Sequence, residues 1–321
     1  MSLDLQLVLV ELTQRYRVRA QEVAVTTMTI VVYFEDPTIG ALARDRIRTL
    51  AAKHPSRVIV LDGTLAEREH RVDAAEWVEL GVKGAGAGAM RSAVDVLRLA
   101  EAPVVLLWIA PGIAGDARFA ALSQGAQTIV YNSSLVDGRH AALCELAAYV
   151  ELHPALPVAD IAYLRLAPWQ ESVAMFFDGK DLDELFDLQR VEIACGSEPE
   201  AYYLLGWLAS RLSWKPSTAN ALLKSDGAAV AFEVRREGDP RRIRSIALHS
   251  SHSTYAATAD DAAQTIAMSV SGSSRHPQRY RPIDNPGIAA LVERAILRGR
   301  NDRIFAESLA AAGRILGCRE E

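Results

Sequence analysis

Cysteine is scarce in this chain, with three residues, Cys144, Cys195 and Cys318, among 321. They lie far apart, contain no C-x-x-C pair and have no histidine at ligand spacing. That argues against a disulfide framework or a zinc site and points to a reducing cytoplasm. Long apolar runs are missing too: no segment reaches the roughly 18 consecutive apolar residues that a membrane span needs. The opening stretch "MSLDLQLVLVELTQRYR" carries Asp4 early and Glu11 inside its apolar run, whereas a secretory signal starts basic and stays apolar. An excess of one charge is also lacking. The net charge is −5, which gives no affinity for a nucleic-acid backbone or an anionic membrane.

Catalytic and metal signatures are absent as well. There is no G-x-S-x-G elbow and no grouping of Ser, His and carboxylate that the sequence places together. "FFDGKDLDELFD" holds Asp178, Asp181, Asp183, Glu184 and Asp187 without the register of an EF-hand loop, and reads as a solvated helix entry. His249 and His252 of "HSSHSTY" are three apart, so on a strand they face opposite sides and cannot share a metal. A hydroxyl-rich turn accounts for them. "RREGDPRRIR" concentrates Arg235, Arg236, Arg241, Arg242 and Arg244. It reads as a charged hairpin tip protecting a sheet edge, or as a grip for an acidic partner.

What the chain does contain is a core. Half its residues are hydrophobic, and its length suits two domains of roughly 150 residues each. In the first half, "MTIVVYF" (28–34), "RVIVLDG" (57–63), "PVVLLWIA" (103–110) and "TIVYNSS" (128–134) read as buried strands. Helical segments at 39–54, 89–102, 115–126 and 138–153 separate them, after an amphipathic helix at 3–15. Strand, helix, strand over 28–62 is a right-handed βαβ crossover. "AEWVELGV" (75–82) alternates, which predicts an edge strand. Residues 1–160 therefore form an α/β domain with a mainly parallel, Rossmann-like sheet. "HPALPVADIAYLRLAP" (153–168), with three prolines, reads as a linker. Residues 161–321 form an α+β domain. Helices at 169–178 and 198–214 come first, with a strand at 187–195. Four alternating strands follow at 229–236, 242–249, 253–259 and 264–270, as antiparallel hairpins. Helices at 286–297 and 302–317 are expected to cover their apolar face.

"GVKGAGAGAMR" (81–91) has the glycine spacing of a dinucleotide loop, with Gly84, Gly86 and Ala89 at G-x-G-x-x-A. Such a loop should leave the first strand of a βαβ unit and be followed about 20 residues on by an acid. Here the strand before it is amphipathic and the one after it ends without an acid. The first crossover does end at Asp62, but its loop is "EDPTIG", whose two acids would repel a pyrophosphate. The glycines read as a strand-to-helix corner.

Four stretches together carry a resemblance. "TMTIVVYF" with "HPSRVIVLDG" (54–63), "APVVLLW" (102–108), "LRLAPWQESVAMFFD" (164–178) and "YLLGWLASRLSW" (203–214) occur in the order seen in the glucose-6-phosphate dehydrogenase assembly proteins, the OpcA family. The chain resembles that family from about residue 25 onward. In the family's L-T-P-W-R element it has Ala167 and Gln170 in place of the usual Thr and Arg. Some members carry a cysteine pair under thioredoxin control where this chain has its Gly/Ala loop, and none of its cysteines lies there, so that control is not carried over. The resemblance implies a non-catalytic protein without a cofactor, which binds glucose-6-phosphate dehydrogenase and promotes its active oligomer or substrate affinity. The other reading is a nucleotide- or sugar-phosphate-binding enzyme or sensor with its site at the carboxyl edge of the first sheet.

Trp207 and Trp214, seven apart, share a helix face with Arg211 between them. Trp207 suits the core, whereas Trp214, at the helix end before Lys215 and Pro216, is expected to be exposed. An arginine flanked by aromatics is the composition of interface hot spots. The candidate partner-binding residues are Arg165, Trp169, Arg211, Trp214, Arg241 and Arg242. Trp169, following Pro168 at a helix start, also suits a structural place.

Overall fold

The computed structural model describes residues 5–19, 26–67, 69–74, 76–135, 139–178, 182–218, 220–237, 242–272, 276–283, 286–298 and 301–318. The chain divides into two compact units. The first comprises Met1–Asp137, His153–Ile161 and Gly287–Asn301, and the second Gly138–Leu152, Ala162–Pro286 and Asp302–Glu321.

In the first unit, α1 (Leu5–Arg19) precedes β1 (Met28–Phe34), a β-branched and aromatic run that is buried along nearly its whole length. Asp36 then caps α2 (Pro37–Lys53), its Oδ1 accepting from the N–H groups of Thr38 at 2.7 Å and Ile39 at 3.0 Å. Pro37 takes the first helical position, where its missing N–H costs nothing. β2 (Ser56–Ala66), β3 (His70–Ala74), β4 (Trp77–Lys83), α3 (Ala87–Leu97), β5 (Val104–Ile109), α4 (Ala117–Ser123) and β6 (Thr128–Tyr131) follow. The chain then passes through α5 (Arg139–Leu152), which belongs to the second unit, and returns as β7 (Val158–Asp160). The strand order is β3-β4-β2-β1-β5-β6-β7, parallel throughout except for β3 against β4. The order reverses direction between β1 and β5, which is the topological switch point.

The second unit begins with α6 (Ile161–Leu164), α7 (Ala167–Phe176), α8 (Leu182–Phe186), β8 (Arg190–Cys195) and α9 (Glu198–Leu212). Then come β9 (Lys215–Thr218), β10 (Ala221–Leu223), β11 (Ala229–Arg236), β12 (Ile243–His249), β13 (Ser253–Asp260), β14 (Thr265–Gly272) and β15 (His276–Pro282). The chain closes with α10 (Ile288–Arg298), which belongs to the first unit, and α11 (Arg303–Ile315). The sheet order is β15-β14-β13-β12-β8-β11-β10-β9. Val191, Ile193, Val230, Phe232, Leu248 and Tyr255 fill one face, packed under α7 and α9. Alternation sends Arg190, Glu192, Ala229, Ala231, Ala247 and Ala256 to the opposite face. A Cβ at Gly206 would stand 2.3 Å from the Ser308 carbonyl oxygen, so glycine lets α9 and α11 approach backbone to backbone.

The fold class matches the sequence reading, and several local expectations are corrected. β4 is an interior strand, because β3, which the sequence did not announce, takes the edge. The stretch 153–168 is no linker but contributes β7, α6 and the start of α7, its prolines lying at element boundaries. β11 and β12 form no hairpin, since β8 lies between them, parallel to β11 and antiparallel to β12. The hydrophobic period fixes which side faces the core but not which strand is the neighbour. Of the two closing helices, α11 packs on α9 and α5, whereas α10 packs on α2 and β6 of the first unit. Cys144 of α5 and Cys318, just past α11, form a disulfide across 174 residues of sequence, which overturns the expectation of none. Their partnership follows from α5 and α11 lying side by side, which linear spacing does not reveal. Cys195 is buried and forms no disulfide.

Candidate functional site

The carboxyl edge of the parallel sheet at the switch point is where folds of this kind bind ligands. Here Glu35 and Asp36 after β1, Trp108 to Pro111 at the end of β5, and Asn132 after β6 line a cleft of about 200 Å³. The groups that would hold a dinucleotide are engaged within the chain. The first N–H groups of α2, which would face a pyrophosphate, are bonded to Asp36. Asp62, where the pairing of β2 with β1 ends and a ribose-binding acid would stand, is fully buried and ion-paired with Arg44. It also accepts from Thr64 N–H at 2.8 Å and Thr64 Oγ1 at 2.6 Å. Arg44 reaches on to Glu79 at 3.2 Å, and Glu79 accepts from Trp77 Nε1 at 2.8 Å.

Beside the cleft, Arg118 of α4 ties down the other acids. It donates to Asp116 Oδ2 at 2.6 Å, to the Tyr33 hydroxyl at 2.6 Å and to Glu35, while that hydroxyl donates to Glu35 at 2.7 Å. Burial, then the bond to Glu35, pushes the Tyr33 hydroxyl pKa well up. Burial alone would raise Asp116, but hydrogen bonds from Arg118 and from the N–H groups of Phe119 and Arg118 outweigh it and hold the carboxyl below its ordinary range. Tyr33 stacks on Trp108 with ring centroids 4.4 Å apart, and Trp108 donates Nε1–H to the Gly112 carbonyl at 3.0 Å. Just after β6, Asn132 Oδ1 and Ser133 Oγ are buried without a hydrogen-bond partner. The glycine corner lies elsewhere, with Gly84 and Gly86 between β4 and α3. Gly84 has φ +88°, a backbone that favours glycine, and β4 before it is buried rather than amphipathic.

The residues singled out for partner contact scatter over the second unit. Arg165 donates to Glu200 at 3.0 Å in a pair that is mostly buried. Trp169 is buried at 7% exposure. Trp214, expected to be exposed, is 6% exposed. The helix ends at Leu212, and Ser213 turns into the left-handed region, so Trp214 leaves the face it was read as sharing with Trp207. Arg211 lies at the surface and bonds Glu307 of α11. Arg165 and Arg211 engage opposite ends of α9, about 16 Å apart at 1.5 Å per residue. Arg242 stands 3.9 Å from Asp261, and Arg241 lies outside the described residues. The acidic segment and the hydroxyl-rich turn meet each other: Ser250 Oγ donates to Glu184 at 2.8 Å, and Ser251 N–H to Asp187 at 2.8 Å. No cluster of His, Cys, Asp or Glu among the described residues is placed to hold a metal, and no described helix is long and apolar enough to cross a membrane.

The sequence reading missed a groove of about 650 Å³ beside α8. Ala221, Ala229 and Ala231 form its floor on the sheet's uncovered face, Phe186 forms a wall, and Asp183, Asp187 and Asp226 stand around it. The only signal was "DELF", an apolar residue among acids, and helical spacing alone did not show that Phe186 faces outward.

Residues 47–148 match the family described as the glucose-6-phosphate dehydrogenase subunit N-terminal domain, and residues 156–309 its C-terminal domain. A protein of Synechocystis sp. named for OpcA of the OxPP cycle is 29% identical over 189 residues, which cover 52% of this chain and 39% of that relative. A Nostoc punctiforme protein of the same name is 30% identical over 144 residues, covering 44% and 30% respectively. The matched stretches thus span well under half the length of these relatives. Among solved structures, the 3-ketoreductase KijD10 of Actinomadura kijaniata, in complex with NADP and TDP-benzene, aligns with a TM-score of 0.53 at 11% identity over 91% of this chain and 96% of that one. An oxidoreductase of Sinorhizobium meliloti aligns with a TM-score of 0.52 at 10% identity, with the same coverage. At those identities the likeness concerns the fold alone.

Proposed function

This chain belongs to the OpcA family of glucose-6-phosphate dehydrogenase assembly proteins, and from that premise we propose that it is a non-catalytic cytoplasmic factor of the oxidative pentose phosphate pathway. It binds glucose-6-phosphate dehydrogenase and favours the enzyme's active oligomer or its affinity for substrate. The physics is linkage: a protein that binds the competent form of an enzyme more tightly than the incompetent form raises the competent population, by no more than that difference in affinity. Such a role asks for a surface, not for a reactive group.

The observation that carries the non-catalytic part is the self-satisfied carboxyl edge. The N-terminus of α2 and Asp62, the two anchors a dinucleotide would use, are bonded to Asp36 and Arg44. A second reading, a small molecule held in the cleft, is favoured by the orphan Asn132 Oδ1 at its lining. Co-elution of the dehydrogenase with this protein on size exclusion tests the first reading, and a mixture that elutes as two separate components counts against it. Calorimetry of the isolated protein with NADP and with glucose 6-phosphate tests the second, which requires saturable heat that Asn132→Leu abolishes.

A further inference from the structure

The groove beside α8 has the anatomy of a docking site, with an apolar centre and a charged rim. Its wall, Phe186, is 65% exposed, and Leu182 on the same short helix is 51% exposed. A single exposed apolar residue needs no explanation. Here Phe186 stands by a concave floor of three alanines, whose strand alternation turns them away from the core that Val230 and Phe232 fill. No side chain of the described residues fills the space.

Charge selects the occupant. Asp183, Asp187 and Asp226 border the groove, and the one cation at its lining among the described residues, Lys224, has its Nζ bonded to the Phe186 carbonyl oxygen at 2.8 Å. Hydrogen bonds from the hydroxyl and N–H of Ser251 hold Asp187 below the ordinary carboxylate range, so it stays ionised at neutral pH. Carboxylates around an apolar hollow repel acidic segments and attract basic ones, which sets both the partner and its rate of encounter. The floor also runs on into the sheet's uncovered face, where Ala231 pairs in register with Arg190 of β8. A protruding segment could thus sit in the groove while the surface around it adds area.

We infer that this groove docks a lysine- or arginine-bearing segment of a partner protein, with an apolar side chain of that segment laid against Phe186. The inference deepens the reading of this chain as a factor acting by protein contact, and it names the surface used.

Two arms test it on the full chain. In the first, a labelled short peptide alternating lysine and leucine is titrated by fluorescence anisotropy, with its glutamate-for-lysine counterpart as control. The variants are Phe186→Ser, the pair Asp183→Lys and Asp226→Lys, and Asp45→Lys, which reverses an exposed acid of the first unit. Phe186, Asp183 and Asp226 are surface residues, so unchanged thermal melts will show the variants folded. The lysine peptide is expected to bind saturably, about tenfold or more weaker to each groove variant, and unchanged to Asp45→Lys. Equal binding to the groove variants and to the unaltered protein overturns the inference. The second arm repeats the titration with glucose-6-phosphate dehydrogenase. Loss of the complex in the groove variants alone supports the inference. A complex indifferent to them overturns the groove as the enzyme's dock and leaves the proposed function standing. No complex even with the unaltered protein sinks the proposed function, and the peptide arm then decides the groove on its own.

Discussion

Asp36 and Asp62 occupy the places where a dinucleotide-binding sheet offers a bare helix end and a ribose-facing acid, and in this chain both are spent on internal bonds. Arg44 matters most in that arrangement, because Asp62 and Glu79 are both buried and both bonded to it. Arg44→Ala is expected to lower stability by about 3 to 5 kcal/mol, the usual cost of removing one partner from a buried ion pair, as read from urea midpoints at constant slope. Asp116 gives a pH-dependent test. Its carboxyl lies below the ordinary value of 3.8, so its ionised form favours the folded state. That contribution is fully present above the ordinary value and is lost as pH falls through the depressed folded value. Asp116→Asn is therefore expected to flatten the fall of Tm between about pH 5 and about pH 2 relative to the unaltered protein. An equally steep fall in both would refute this. The sequence made Asp62 and the acids of "EDPTIG" visible, and charge alone argued against a pyrophosphate there. The bonds from Arg44 and Arg118 were not visible, because they cross 18 and 83 residues of sequence.

At the scale of elements, hydrophobic period was a good guide and pairing was not. β1, β5, α2, α9 and α11 fall where their apolar spacing put them. The insertion of β8 between β11 and β12 is a non-local choice that the turn signal in "EGDP" actively hid, since a short link between two strands ordinarily makes a hairpin. α10 and α5 each join the unit other than that of their chain neighbours, and amphipathic spacing carries no record of which apolar surface a helix covers. The disulfide belongs to this scale as well, for it fastens the end of α11 to α5. Cys318→Ser, or reduction, is expected to cost about 2 to 4 kcal/mol by releasing that long loop in the unfolded chain. It should lower Tm in the oxidised protein and make no difference once a reductant is present. A Tm that is the same for the variant and the oxidised parent would show that the bond does not constrain this unit.

For the whole molecule, the two sheets carry different duties. The parallel sheet has the topology of a ligand-binding fold with its anchors turned inward. Among the described residues the second sheet leaves one face uncovered, and the apolar, acid-rimmed groove opens on that face. Family membership was legible from four short stretches because their residues are distinctive in kind and order. The docking surface was not, because exposure of Phe186 and burial of Trp214 depend on where α8 and β9 lie. The central claim is that this protein shifts glucose-6-phosphate dehydrogenase toward its competent form. The most direct test is the enzyme's initial rate across glucose 6-phosphate concentrations at rising concentrations of this protein. The account predicts a saturable fall in KM or rise in kcat, reaching its plateau at a fixed ratio of the two proteins. Rates that superimpose at every concentration would contradict it.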